Sequence, residues 1–342
     1  MRPPRQTLTI PHHRPLTTPL TPFKLPPHHR IHPRPSSTST TTSTLLKTHL
    51  IPAPHTGHIR VLSLNNPQRL NAISVALLSD LRREIAAVKD EAAAERALWE
   101  RGVEGARIGA GTRVLIVASE VDECFCAGAD LKERRGMTGD ETLTFLTTLR
   151  ATLTTLSTLP LPTISAVSSL ALGGGLELAL STTFRVFASS AQIALPETRL
   201  GIIPGAGGTY RLRGLVGERR ALEMVLTGRR VGGWEAGRMG VCERVVDVGD
   251  SDFGGGDRDG EAWVGGKEWK GEVRGRVLEA AVGMAREICE GGPGSVGAGM
   301  RAVGEGTAEA EAREYEGLVG MWDRDEALRA FGEKRKAVFR GM

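Results

Sequence analysis

Three consecutive glycines, Gly173, Gly174 and Gly175, interrupt an otherwise apolar stretch and constrain this chain more than any other feature. Before them lies the strand-like run 170–172. After them comes a short apolar helix with a single acid, Glu177. A second acid, Glu197, follows Pro196 at the end of the next strand-like segment. A glycine-rich helix start presents unpaired backbone N–H groups and the positive end of the helix dipole, which together suit a developing negative charge. Two carboxyls beside such a site point to proton transfer next to an oxyanion. A tight turn would use the same glycines, but it gives no reason for an acid in an apolar helix, where an unpaired carboxylate is costly.

Histidine usage narrows the chemistry. All 8 histidines lie within residues 1–58, so a presumed core beyond them has no Ser–His or Cys–His mechanism and no histidine-ligated metal. Carboxylates must do the acid–base work. The 4 cysteines, Cys124, Cys126, Cys242 and Cys289, are too scattered for a disulfide framework, and they lack the paired C-x-x-C spacing of a zinc site. We read them as reduced core thiols and expect no metal. No run of 18 apolar residues suggests a membrane span.

Charge is unevenly distributed. Of the 44 Lys and Arg, 9 precede Asp80, the first acid, leaving 35 basic against all 40 acidic residues in 80–342. The presumed folded part is therefore slightly acidic, which argues against a broad nucleic-acid surface. Residues 1–48 are rich in Pro, Thr, Ser, Arg and His without an acid. They read as a mitochondrial transit peptide or simply as a disordered leader.

Beyond the leader, strand, turn and helix alternate, which implies α/β architecture with crossover connections. The run 59–64 alternates as a strand. From Ser74, a plausible N-cap, Leu78, Leu81, Ile85 and Val88 mark one helix face. The stretch 90–111 reads as a helix extension into a loop, and 113–118 as a buried strand leading to the tight turn Cys126-Ala127-Gly128-Ala129-Asp130. Leu146, Leu149, Leu153 and Leu156 form a second helical face, ended by Pro160 and Pro162. Residues 249–271, rich in Gly and Asp, read as a surface insertion without the order of a calcium loop. Residues 272–342 are helical in composition.

Several blocks resemble the enoyl-CoA hydratase/isomerase family, which has the crotonase fold. They are Asn66-Pro67 with Asn71-Ala72, the run Phe125-Cys126-Ala127-Gly128-Ala129-Asp130-Leu131-Lys132-Glu133-Arg134, and 171–180. Pro196-Glu197-Thr198-Arg199-Leu200-Gly201, 203–209 and Phe331-Gly332-Glu333-Lys334-Arg335 complete the set. The resemblance covers about 55–342 and is nearest the mitochondrial methylglutaconyl-CoA hydratase type.

It implies a spiral of ββα turns over 55–271, then a C-terminal helical region, 272–342, that mediates trimerisation, often as a dimer of trimers. It also implies an acyl-CoA substrate, with coenzyme A as part of that substrate and no separate cofactor. The thioester oxygen would sit between the N–H groups of Ala129 and Gly174, each worth about 3–4 kcal/mol in comparable sites, and the close backbone approach this asks at Gly174 suits only glycine. Glu177 and Glu197 would flank the water added reversibly across the α,β double bond of an enoyl-CoA, 3-methylglutaconyl-CoA first; a general short-chain enoyl-CoA hydratase or an isomerase is the runner-up. Ala127, Asp130, Leu131 and Lys132 would form the CoA-side loop, with Lys132 meeting phosphate or a substrate carboxylate, or else solvent. Phe331 and Lys334 would reach a neighbouring subunit's CoA; the basic run there also suits a helix C-terminus.

Two departures stand out: Ser168-Ser169 in place of an Asp/Asn-Gly turn, and Thr182-Thr183 in place of a Cys-Asp pair. Rival readings are an inactive trimeric scaffold and an RNA-binding member. The candidate RNA helix interleaves Arg82, Arg83, Lys89 and Arg96 with Glu84, Asp90, Glu91 and Glu95, a mixed face rather than a basic comb.

Overall fold

The computed structural model describes residues 45–249 and 267–342. Two sheets grow in step within it. The larger runs β1 (Leu46–Pro52), β2 (His58–Leu64), β3 (Thr112–Ser119), β5 (Thr163–Val167), β7 (Phe184–Ala188) and β10 (Arg244–Val246). The smaller runs β4 (Cys124–Cys126), β6 (Leu170–Leu172), β8 (Gln192–Ala194) and β9 (Val231–Gly232). Three successive turns of chain each leave one strand in either sheet: β3 then β4, β5 then β6, β7 then β8. This is the ββα spiral expected from the resemblance.

Parallel strands covered on both faces read as unbroken apolar runs. Accordingly every residue of β3 is buried. The alternation expected for 59–64 is incomplete: α8 packs against β2, and Leu62, Ser63 and Leu64 are all buried. Helix α1 (Val75–Glu100) starts where expected, with Ser74 Oγ accepting from the Leu77 amide. It buries Leu77, Leu78, Leu81, Ile85 and Val88.

After β4 come the one-turn α2 (Leu131–Arg134) and α3 (Gly139–Ser157). A capping box between Thr138 and Glu141 offsets the poor helix propensity of the threonine-rich α3. Phe145, Leu149, Leu153 and Leu156 are its buried apolar residues; Leu146, expected among them, is only half-buried. Next in order are α4 (Gly174–Leu180), α5 (Gly208–Val216), α6 (Glu218–Thr227) and α7 (Gly233–Met239). The C-terminal region holds α8 (Lys267–Cys289), α9 (Pro293–Glu305), α10 (Ala308–Glu316) and α11 (Trp322–Gly332), with α8 packed on β3, β5 and β7.

Three boundaries differ from expectation. Strand β1 occupies 46–52, so the fold begins inside the stretch read as a leader; its antiparallel partner β2 orders a half-exposed edge that has little apolar pattern of its own. His49, His55 and His58 therefore belong to the fold. Helix α8 starts at Lys267, within the expected insertion 249–271, most of which lies outside the described residues, as do residues 1–44. Beyond Gly332 the chain leaves the helix and returns to the loop between α1 and β3: Ile108 N–H donates to the Gly341 carbonyl at 2.9 Å.

Candidate active site

The small sheet positions the site. Its parallel strands β4, β6 and β8 each deliver one candidate group just past their C-terminal ends, the usual side for ligands in parallel sheets. Beyond β4 comes Ala129, beyond β6 Gly174, and beyond β8 Glu197.

Ala129 is aimed by a single parallel bridge to Ile73. Ile73 N–H donates to the Gly128 carbonyl at 2.7 Å, and Asp130 N–H to the Ile73 carbonyl at 3.1 Å. This pattern uses the groups on either side of Ala129 and leaves its own N–H on the opposite edge. Asn71 anchors the loop's start. It is fully buried at φ 54, a left-handed conformation that asparagine tolerates. Its Nδ2 donates to Ser119 Oγ (2.8 Å) and to the carbonyls of Cys124 (3.2 Å) and Phe125 (3.0 Å).

Gly174 opens α4, so its N–H has no acceptor within the helix. A Cβ built on it would lie 3.4 Å from the Ala129 nitrogen, which places the two amides side by side. The steric demand for glycine is greater at its neighbours than at Gly174, where close backbone approach was expected. Gly173 has φ 51, and a Cβ on Gly175 would overlap the Cys126 carbonyl.

Both acids reach this place. Glu177, 2% exposed, accepts at Oε1 from the amides of Ala206 (2.7 Å) and Gly208 (2.8 Å). Burial pushes its carboxyl upward, while those amides and the charges of Arg211 and Arg150 act against the rise. Glu197 Oε1 lies 3.0 Å from the point where a Cβ on Gly173 would sit. Its Oε2 is buried without a hydrogen-bond partner. Burial, with the nearby Glu177 charge adding to it, pushes Glu197 up to about 7. Both acids thus meet at Gly173, next to Gly174: Glu177 N–H donates to the Gly173 carbonyl at 2.9 Å and Glu197 Oε1 abuts Gly173, one carboxyl well held and one under-solvated. The geometry suits a base and an acid acting beside a forming oxyanion.

Other expected residues divide. Asp130 does not stand free toward a ligand: its Oδ1 caps α2 through the amides of Lys132 (3.0 Å) and Glu133 (3.2 Å), and its Oδ2 pairs with Arg69 at 3.3 Å. Ala127 N–H donates to the Leu70 carbonyl, so it shapes the loop. Leu131 and Lys132 are exposed on α2. Phe331 is 85% exposed at the end of α11, and Lys334 follows at φ 55. Both belong to the C-terminal helical region rather than to the loops carrying the acids.

The Thr182-Thr183 departure from the family pattern is absorbed locally. Thr182 Oγ1 lies within 3.0 Å of Ser165 Oγ and of the carbonyls of Ala179 and Phe184, so its one proton goes to a carbonyl while it can accept from the Ser165 hydroxyl. Thr183 and Thr163 exchange reciprocal amide-to-hydroxyl bonds, tying the exit of α4 to β5. Ser169 Oγ, by contrast, is buried without a partner.

Among the described residues no group of three His, Cys, Asp or Glu could hold a metal ion, and no helix is long and apolar enough to cross a membrane. Cys124 and Cys126 donate to the carbonyls of Leu170 and Asn71, and burial raises both thiols, Cys126 to about 12.

Over 304 residues the chain is 51% identical to an enoyl-CoA isomerase/hydratase of Zymoseptoria tritici, covering 87% of this chain and 89% of that protein. The chain belongs to the enoyl-CoA hydratase/isomerase family. The family's sequence model matches residues 103–251, which hold both acids and both amides. The chain is also 49% identical over 302 residues to a mitochondrial methylglutaconyl-CoA hydratase of Pyricularia oryzae, covering 85% of each. Its fold is similar to the crystal structure of an enoyl-CoA hydratase from Bacillus anthracis: TM-score 0.69, 33% identity, 87% of this chain and all of that one. The expectation of a hydratase-type enzyme with the crotonase fold holds at this level.

Proposed function

We propose that this family member adds water reversibly across the α,β double bond of an enoyl-CoA thioester, with Glu177 and Glu197 as the catalytic pair. What supports this reading is that both acids meet Gly173, the residue before Gly174, with unequal hydrogen bonding. Glu177, held by two amides, is the better site for a negative charge and serves as base. Glu197, with an unpartnered oxygen and a carboxyl raised to about 7, is the better proton store of the two and serves as acid.

Water loses a proton to Glu177 as its oxygen bonds to the β-carbon, and the electron pair of the double bond moves toward the thioester. Charge gathers on the thioester oxygen, where two preorganised N–H donors favour the transition state over the neutral carbonyl. Glu197 then delivers its proton to the α-carbon. Proton exchange with solvent resets both carboxyls.

The mitochondrial methylglutaconyl-CoA hydratase relative supports 3-methylglutaconyl-CoA, an intermediate of leucine breakdown, as the first substrate to test, and supports a mitochondrial location. A general short-chain enoyl-CoA is the runner-up. The exposed Phe331 supports a trimer in which the end of α11 reaches a neighbour's CoA.

The test is a panel of enoyl-CoA thioesters followed by loss of conjugated-thioester absorbance and product identification. Glu177→Gln and Glu197→Gln should each lose roughly 10²–10⁴-fold in turnover while still binding CoA thioesters. Turnover unchanged in either variant removes that residue from the mechanism. A migrated double bond without hydration moves the enzyme to the isomerases.

A further inference from the structure

The loop that grips Glu177 is itself gripped from behind. Arg150, on α3, donates through Nε to the carbonyl of Gly205. That carbonyl and the Ala206 N–H belong to one peptide unit, and the Ala206 N–H donates to Glu177 Oε1 at 2.7 Å. Guanidinium, peptide and carboxylate therefore form a single chain of hydrogen bonds. A cation on the carbonyl end of a peptide polarises it and strengthens the bond its N–H makes at the other end. One residue on, Arg211 donates through Nη1 to the Ala206 carbonyl at 2.8 Å, so both carbonyls flanking Ala206 are held by arginines. Helix α3 comes close enough for this because residue 205 is glycine: a Cβ there would stand 3.1 Å from Leu146 Cδ2.

We propose that Arg150 is a positioning residue that acts through the Gly205–Ala206 peptide to orient Glu177 and hold it ionised. The proposal rests on Glu177 being the base in the reaction above, but the grip on its carboxylate can be measured without turnover. Among the described residues, the charged groups acting on Glu177 are Arg150 from α3, Arg211 from α5 and Glu197 from the turn after β8. Arg150 is exposed, so water screens its direct field, and its effect runs chiefly through the bonded peptide.

The test compares Arg150→Met, Arg150→Gln and Arg150→Lys with the wild type. Infrared titration reads the Glu177 carboxylate band, assigned by its disappearance in Glu177→Gln. Loss of the guanidinium in Arg150→Met should raise the Glu177 titration midpoint by about half a unit to one unit, with Arg150→Lys restoring part of the shift. The acid limb of the kcat profile should move by the same amount, with KM and the thermal midpoint little changed.

A Glu177 midpoint that stays at the wild-type value in Arg150→Met and Arg150→Gln overturns the proposal, as does a fall in kcat with an unmoved acid limb. Should Arg150→Met fold poorly, Arg150→Gln and Arg150→Lys still report the midpoint. A wild type that hydrates no enoyl-CoA sinks the hydratase reading separately and leaves the infrared result intact.

Discussion

Glu177 and Glu197 share one site with opposite hydrogen-bond endowments: one Glu177 oxygen accepts two backbone amides, whereas a Glu197 oxygen is buried and accepts none. That asymmetry separates a carboxyl suited to holding charge from one suited to holding a proton. It also has consequences for stability.

Folding raises the Glu197 carboxyl from 4.5 to about 7, so between those values the native state binds more protons than the unfolded chain. Stability contributed by this group is therefore full below pH 4.5 and is lost as pH rises to about 7. Glu197→Gln removes the dependence. We expect the variant to exceed wild type by about 2 kcal/mol above pH 7, with the difference vanishing near pH 4. Urea unfolding at a series of pH values measures it. Parallel curves for the two proteins would show that Glu197 does not carry a raised pKa.

Gly175→Ala places a methyl group against the Cys126 carbonyl on a backbone that cannot retreat without moving α4. The expected cost is about 2–4 kcal/mol, read as a lower thermal midpoint. Turnover should fall as well, because the start of α4 carries the Gly174 amide. A variant with unchanged melting and activity would mean that β4 and α4 are not locked as described.

Asn71→Ala removes the donor that ties the Ser119 hydroxyl and the Cys124 and Phe125 carbonyls together, and it puts alanine at φ 54. A loss of about 2–3 kcal/mol is expected. The Ala129 loop starts from this anchor, so kcat should drop roughly tenfold with a smaller change in KM. Equal damage to both constants would point to general loosening instead.

Arg185 is a buried cation on β7, 2% exposed. It donates to the carbonyls of Val241 (2.6 Å) and Thr182 (2.7 Å) and pairs with Glu243. Arg185→Met leaves those carbonyls without their donor and Glu243 without its cation, although the residue-185 amide still donates to Glu243 Oε2, at an expected cost of about 3 kcal/mol. Chemical denaturation of Arg185→Met and Arg185→Met/Glu243→Gln checks it, and the double variant should recover part of the loss. No recovery would show that the ion pair is not the source.

Much of the site was legible because its signals are local. The triple glycine announced a helix start, Ser74 announced a cap, and lone acids in apolar surroundings marked candidate positions that the structure buries. Less visible were demands set by neighbours distant in sequence. Close approach was expected at Gly174, yet Gly175 meets Cys126 and Gly173 takes the positive φ. Asp130 looked available to a ligand until Arg69, 61 residues away, and two amides claimed it. Arg150 carried no motif at all, since its partner Gly205 lies 55 residues on.

Residue order alone therefore dictated the alternation of strand and helix, the absence of histidine beyond residue 58, and the glycine-rich turn. Those properties follow from short-range sterics, periodicity and the inventory of side chains. Which acid is better hydrogen-bonded, which glycine is indispensable and which arginine stands behind Glu177 were decided only when β4, β6 and β8 lined up their C-terminal ends. Burial and hydrogen-bond supply are properties of a place in the folded protein, and that place exists only after segments remote in sequence have packed together.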